Sequence, residues 1–213
     1  MNQDILSRIF PYKIPNLIQI YGSPGSGKTS FLLGLAKDAI IQGSRVFFID
    51  CPDKITSTRL IEVVDTKKDL EKLTIFHPRD LKELTYILDD LDIFSIPSPS
   101  QILIDDPFSL YHPKPQKKQS RYQVTERLSR VFSLAFQLTK SIKRPIFITN
   151  QVRGRENENI PYLAQVTKRY VDYDIYLARE RGSNLVLGSI LSDKGDKIKN
   201  FRFAIIKEGI RLI

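Results

Sequence analysis

The sequence predicts an α/β domain: a mostly parallel central sheet flanked by helices, with antiparallel strands added at its C-terminal edge. Three observations predict it. Short apolar runs such as LIQIY at 17–21 and VFFI at 46–49 alternate with stretches of helical period, as strands joined by crossover helices do. Those runs are apolar at nearly every position rather than in alternation, which suits strands buried on both faces. Beyond Ile175 the helical periods stop, and short strand-like runs are separated by turn sequences, as in hairpins.

Each element follows in order. Leu17 to Tyr21 reads as a buried strand ending at Gly22. From Lys28 to Ile41, Phe31, Leu32, Leu35, Ala39 and Ile40 recur at helical spacing, and Gly43 and Ser44 close that helix. Val46 to Ile49 is a second strand, with Asp50 at its C-terminal end, and Leu73 to Phe76 is a third. Asp80 with Glu83 makes an acidic capping box ahead of LKELTYILDDL. IPSPS at 96–100 is a loop leading into the strand Ile102 to Ile104. A polar loop, Tyr111 to Ser120, precedes a long amphipathic helix from about Tyr122 to Ile142, and PIFIT at 145–149 is the next strand. Strands at Ile175 to Ala178, Leu185 to Ile190, Phe201 to Ile206 and Ile210 to Ile213 complete the chain. The organisation expected is a short leader, 1–16, and one core domain, 17–213.

Composition narrows the class. At 213 residues the chain suits one domain, with 41% hydrophobic and 27% charged residues for a core and a polar surface. No apolar run approaches the roughly 20 residues of a membrane span, so no membrane partner is expected. The N-terminus has no signal-peptide layout, and the lone Cys51 excludes an internal disulfide framework. A cytoplasmic address is the simplest expectation. Lysine and arginine number 33 against 24 acidic residues, giving +9. Such a surface attracts polyanions, nucleic acid among them.

The chemistry concentrates in one loop. Gly22-Ser23-Pro24-Gly25-Ser26-Gly27-Lys28-Thr29 fits G-x-x-x-x-G-K-[ST] between a strand and a helix, with Ser30 following. The glycines admit phosphate oxygens close to the backbone, and inward N–H groups and the helix N-terminus supply positive potential. Lys28 is expected to neutralise the β- and γ-phosphates of ATP, and the Thr29 hydroxyl to ligate Mg²⁺. Ile102-Leu103-Ile104-Asp105 supplies the acid for the metal shell, Asp105 emerging at a strand end. Asp106 stands behind it, pointing away if the strand continues.

Four stretches together resemble the ATPase core of the RecA/RadA recombinases. They are the phosphate loop, Phe48-Ile49-Asp50 with Thr58-Arg59-Leu60, ILIDDPFSLY at 102–111, and IFITNQV at 146–152. FRFAIIKEGI at 201–210 is similar to the family's terminal hairpin. The resemblance covers the chain after its first dozen residues and implies a RecA-like P-loop fold. It implies that Gln151 senses the γ-phosphate and signals to a DNA-binding loop, and that Arg59 stacks on adenine. The family's two DNA loops map onto 111–120, with Lys114, Lys117 and Lys118 and then Arg121, and onto 153–165, with Arg153 and Arg155. Tyr111 and Tyr122 are candidates for base stacking.

Departures from the family refine the expectation. A catalytic glutamate is expected two residues after Asp50, where Pro52 stands. Asp53 lies one position further on, so hydrolysis is slow, or Asp53 orients the water, or ATP serves as a switch. The leader lacks a Phe-x-x-Ala polymerisation peptide, and no N-terminal helical DNA-binding domain precedes the core. These features resemble the small archaeal RadA paralogues of the RadB-like or RadC-like kind. That likeness implies single-stranded DNA and a RadA-type recombinase or other paralogues as partners. A KaiC-like or archaellum-motor-like assembly module without DNA binding shares the same core and stays open. A small-molecule kinase would need an arginine-rich lid and an acceptor pocket, neither of which is convincingly placed.

Overall fold

The computed structural model describes residues 5–10, 16–64, 66–93, 100–110, 121–152 and 160–213. A short helix α1 (Ile5–Ile9) leads to strand β1 (Leu17–Gly22) and helix α2 (Lys28–Ile41). Strand β2 (Arg45–Asp50), helices α3 (Ser57–Val63) and α4 (Lys67–Leu70), strand β3 (Leu73–Phe76) and helix α5 (Leu81–Ile93) follow. Strand β4 (Ser100–Asp105) runs into a 3-10 turn (Pro107–Leu110), and then come helix α6 (Arg121–Ile142), strand β5 (Ile146–Gln151) and helix α7 (Ala164–Thr167). Strands β6 (Tyr173–Arg179), β7 (Leu185–Ser192), β8 (Lys197–Ile206) and β9 (Gly209–Leu212) end the chain.

These strands form one sheet in the order β3-β2-β4-β5-β1-β6-β7-β8-β9. From β3 to β6 every pairing is parallel, and β7, β8 and β9 add in antiparallel fashion. The expected architecture is therefore the observed one. The run at 175–178 belongs to β6, which pairs in parallel with β1 on one side and antiparallel with β7 on the other, so it joins the central sheet to the hairpins.

Alternate residues of each strand feed two cores. On one face, Ile18, Ile20, Phe48, Leu103, Phe147 and Ile175 pack against α2 through Phe31, Leu32 and Leu35. On the opposite face, Leu17, Ile49, Ile102, Ile104 and Ile148 meet α5 and α6 through Leu84, Leu88, Leu128 and Phe132. Every residue of β1 and β4 is buried, which explains why both are mostly apolar on both faces, with Gln19 and Gln101 as buried exceptions.

Helix ends follow local chemistry. The α2 helix stops where Gly43 N–H donates to the Ile40 carbonyl and Ser44 N–H to that of Ala39. Asp80 caps α5, its Oδ1 accepting from the amides of Lys82 and Glu83 at 2.9 Å each. Glu83 does not return to Asp80, as a capping box requires; its Oε2 accepts from the Arg79 amide at 2.9 Å and from Arg79 Nε at 3.0 Å. An arginine one residue before the cap offers the stronger, charge-assisted partner. None of the described helices is long and apolar enough to cross a membrane.

Candidate nucleotide-binding site

The loop after β1 begins where β1 and β6 run side by side, Tyr21 opposite Tyr176. A Cβ on Gly22 would collide with the Leu177 carbonyl oxygen and stand 2.6 Å from Ser26 Oγ. Only glycine lets the chain turn here. At Gly27 a φ of 94° in the left-handed region turns the backbone from loop into helix, so that Lys28 is the first residue of α2.

Within this frame the side chains converge. Lys28 Nζ donates to the carbonyls of Gly22 at 2.8 Å and Ser23 at 3.0 Å, so the ammonium is folded over the loop. Burial lowers the Lys28 pKa, while the charges of Asp106 and Asp105 raise it. Thr29 Oγ1 donates to Asp105 Oδ2 at 2.6 Å, and Thr149 Oγ1 donates to Asp105 Oδ1 at 2.6 Å. Thr149 in turn accepts from the Asp106 amide at 2.6 Å. Burial pushes the Asp105 carboxyl above its ordinary value; the two hydroxyl bonds pull it down, and Asp106 and Asp50 push it further up. Carboxylates crowded in this way favour a cation.

The residues fit a nucleotide with its Mg²⁺. Ser26 Oγ is buried without a partner inside the loop. A cavity of ≈ 570 Å³ lies against Ser23, Pro24, Gly25 and Ser26 on one side and the end of β6 on the other. A second, of ≈ 250 Å³, is lined by Gly25, Gly27, Lys28, Thr29, Ser30 and Ile205, and Arg179 borders both. Lys28 with the loop amides would hold the phosphates, and Thr29 with Asp105 the ion, which supplies charge neutralisation to the triphosphate.

Other expected site residues are placed as follows. Gln151 ends β5, and its Nε2 donates to Asp106 Oδ2 at 2.6 Å. The strand does not continue through Asp106, whose φ is 40°, so its carboxylate turns toward Gln151 and acts on Lys28 instead of pointing away. Arg59, in the first turn of α3, donates through Nη1 to the Lys207 carbonyl at 2.8 Å and pairs with Glu62 at 3.3 Å. It is thus fixed to the β8–β9 turn, and Ile205 of the same strand end borders the smaller cavity. Asp53 is exposed, with a φ of 52°, and its Oδ1 lies 3.1 Å from His77 Nδ1. The acids whose charges act on Lys28 are Asp106 and Asp105, not Asp53.

Lys114, Lys117, Lys118, Arg153, Arg155 and Tyr111 lie outside the described residues, as does the side chain of Arg121, which opens α6. Tyr122 is exposed on that helix. The stretches carrying the basic residues leave from described anchors. One departs after the 3-10 turn that follows Asp106, the other after Gln151, whose carbonyl accepts from the Tyr162 amide at 2.8 Å.

Sequence reasoning missed a polar chain beneath the loop. Asn150 Nδ2 donates to Gln19 Oε1 at 2.8 Å and to the Tyr162 carbonyl at 2.9 Å, and Gln19 Nε2 donates to Asp174 Oδ1 at 2.7 Å. A glutamine inside the apolar run LIQIY was the available signal. Burial pushes the Asp174 carboxyl up to about 6, against the Gln19 bond and the charge of Lys168, which lower it. A raised acid contributes stability that is fully present below its unfolded value and lost as pH rises through about 6. Asp174→Asn keeps an acceptor for Gln19 and removes the buried charge. It should stabilise the fold by roughly 1–3 kcal/mol at pH 8, and the gain should vanish near pH 4. Urea melts at the two pH values check this.

No protein-family model matches the chain. It is 25% identical over 203 residues to the DNA repair and recombination protein RadB of Methanococcus maripaludis, covering 92% of this chain and 91% of the relative. The RadB of Methanocaldococcus jannaschii is 24% identical over 200 residues, with 92% and 93% covered. That of Thermococcus onnurineus is 25% identical over 165 residues, with 75% and 70% covered. The crystal structure of the RadB recombinase superposes with a TM-score of 0.77 at 19% identity, covering 96% of this chain and 94% of that one. The fold is RecA-like, and along nearly its whole length the chain is similar to RadB, an archaeal paralogue within the RecA family.

Proposed function

We propose that this chain binds ATP with Mg²⁺ in the loop 22–29, binds single-stranded DNA, and assists recombinational DNA repair by modulating a RadA-type recombinase or another paralogue. The observation that carries this reading is the bond between Gln151 and Asp106. It ties together the ends of β4 and β5, from which both basic stretches depart. Asp105, one residue before Asp106, is bonded to Thr29 of the phosphate loop. A change at the phosphates thus has a short covalent and hydrogen-bonded route to both stretches. The relatives named DNA repair and recombination proteins lend the biological setting. Slow hydrolysis suits Pro52 at the position of the family's glutamate and an Asp53 carboxylate engaged with His77.

Fluorescence polarisation with a labelled single-stranded oligonucleotide tests the DNA half of this reading. If Lys117, Lys118, Arg121, Arg153 and Arg155 each neutralise one phosphate, log affinity falls against log salt with a slope of roughly −3.5. Replacing Arg153 and Arg155 with alanine should flatten the slope by about 1.4 and leave ATP affinity unchanged. Absence of binding at micromolar protein and moderate salt favours the KaiC-like assembly module instead.

A further inference from the structure

We propose that Asp50, Asp53 and His77 form a binding site for a first-row divalent metal ion, Zn²⁺ foremost, separate from the Mg²⁺ position at Thr29 and Asp105. Asp50 ends β2, Asp53 lies in the loop that follows, and His77 comes directly after β3, the parallel neighbour of β2. One ligand atom from each residue lies within 4.8 Å of the others. His77 Nδ1 is 3.1 Å from Asp53 Oδ1 and 3.6 Å from Asp50 Oδ2. Two ligands each about 2.1 Å from a metal and 90–120° apart are separated by about 3.0–3.6 Å, so the two His77 distances suit a common ion.

A histidine–aspartate hydrogen bond accounts for the 3.1 Å contact but leaves the buried acid unexplained. The Asp50 side chain is fully buried, and its Oδ2 accepts from the amides of Lys54 at 2.9 Å and Ile55 at 2.8 Å. Its Oδ1 is buried with no partner. A charged oxygen without a partner is costly inside a protein. One imidazole nitrogen with two carboxylates is a donor set for Zn²⁺ or Mn²⁺ rather than for a hard ion such as Ca²⁺. Two of the three ligands are exposed, which gives the ion an entry path and room for water. Bound there, the ion would clip the end of β2 to that of β3 and hold Asp53 away from any role in orienting water.

The test uses the full chain without nucleotide, stripped of metal with a chelator. Zn²⁺ binding is read by competition with a chromophoric indicator and by the imidazole resonances, which are simple because the chain has 2 histidines, His77 and His112. The expected result is one Zn²⁺ per chain, a shift of the His77 ring signals on loading, and affinity reduced at least about 10-fold in His77→Ala and in Asp53→Asn. Asparagine tolerates the left-handed backbone at 53, and His77 is only partly covered, so both variants should fold, as circular dichroism checks. Asp105→Asn should bind Zn²⁺ as the parent does. No binding, an unmoved His77 signal, undiminished affinity in His77→Ala, or loss of binding in Asp105→Asn would each overturn the proposal.

Discussion

Lys28→Ala should weaken ATP binding by at least about 100-fold while leaving the fold intact. Its ammonium is folded over the loop onto the Gly22 and Ser23 carbonyls and desolvated; burial lowers its pKa, and the charges of Asp106 and Asp105 oppose that. Charge-assisted hydrogen bonds to phosphate contribute roughly 1.5–3 kcal/mol each, and an arriving triphosphate would replace two carbonyl partners with charged ones. Losing about 3 kcal/mol corresponds to about 100-fold in affinity. The alanine also ends the partial neutralisation of Asp105 and Asp106, so anions would meet a more negative site. Titration calorimetry with ATP and Mg²⁺ measures the loss. Thermal melts of the free protein should barely shift, because both Lys28 bonds are made to carbonyls of the loop itself.

Gln151→Ala should uncouple DNA from nucleotide. In the parent, the Gln151 amide holds Asp106 at 2.6 Å while Asp106 acts on Lys28, so a phosphate drawing on Lys28 would alter the balance at Asp106 and hence at Gln151. Coupling energies between sites commonly amount to about 1–3 kcal/mol, or 5–150-fold. ATP with Mg²⁺ should change the parent's affinity for a single-stranded oligonucleotide within that range. In Gln151→Ala the change should fall below about 2-fold, with ATP affinity itself nearly retained. By reciprocity, DNA should then no longer alter ATP affinity. Polarisation and calorimetry on the same variant read the two sides of this cycle.

The candidate nucleotide site is legible in the sequence because its residues are local. Gly22 to Thr29 is one loop whose residue types are fixed by phosphate geometry, and the run ILID announces both a buried strand and its terminal acid. What stayed hidden depends on distance or handedness. Asp106 reads as pointing away from Asp105 by strand alternation, yet its positive φ turns it toward Gln151. His77 meets Asp50 and Asp53 only because β3 pairs with β2 in parallel, with Ile49 opposite Phe76, a register that no local pattern reveals. Likewise Arg179 comes beside the phosphate loop because β6 runs past the end of β1. Gln19 and Asp174, 155 positions apart, are brought together by the same pairing. The extra length of β8 was missed for a different reason: Lys197 to Asn200 is polar and edge-exposed, and pairing with β7 rather than burial makes it a strand.

The most direct test is one polarisation titration of a single-stranded oligonucleotide, run with and without ATP and Mg²⁺, on the parent chain and on Lys28→Ala. A grip on the triphosphate by residues 22–29, transmitted through Asp106 and Gln151, predicts that nucleotide shifts the parent curve and leaves the variant curve in place. Curves that shift equally in both proteins would place the nucleotide's effect elsewhere and contradict it.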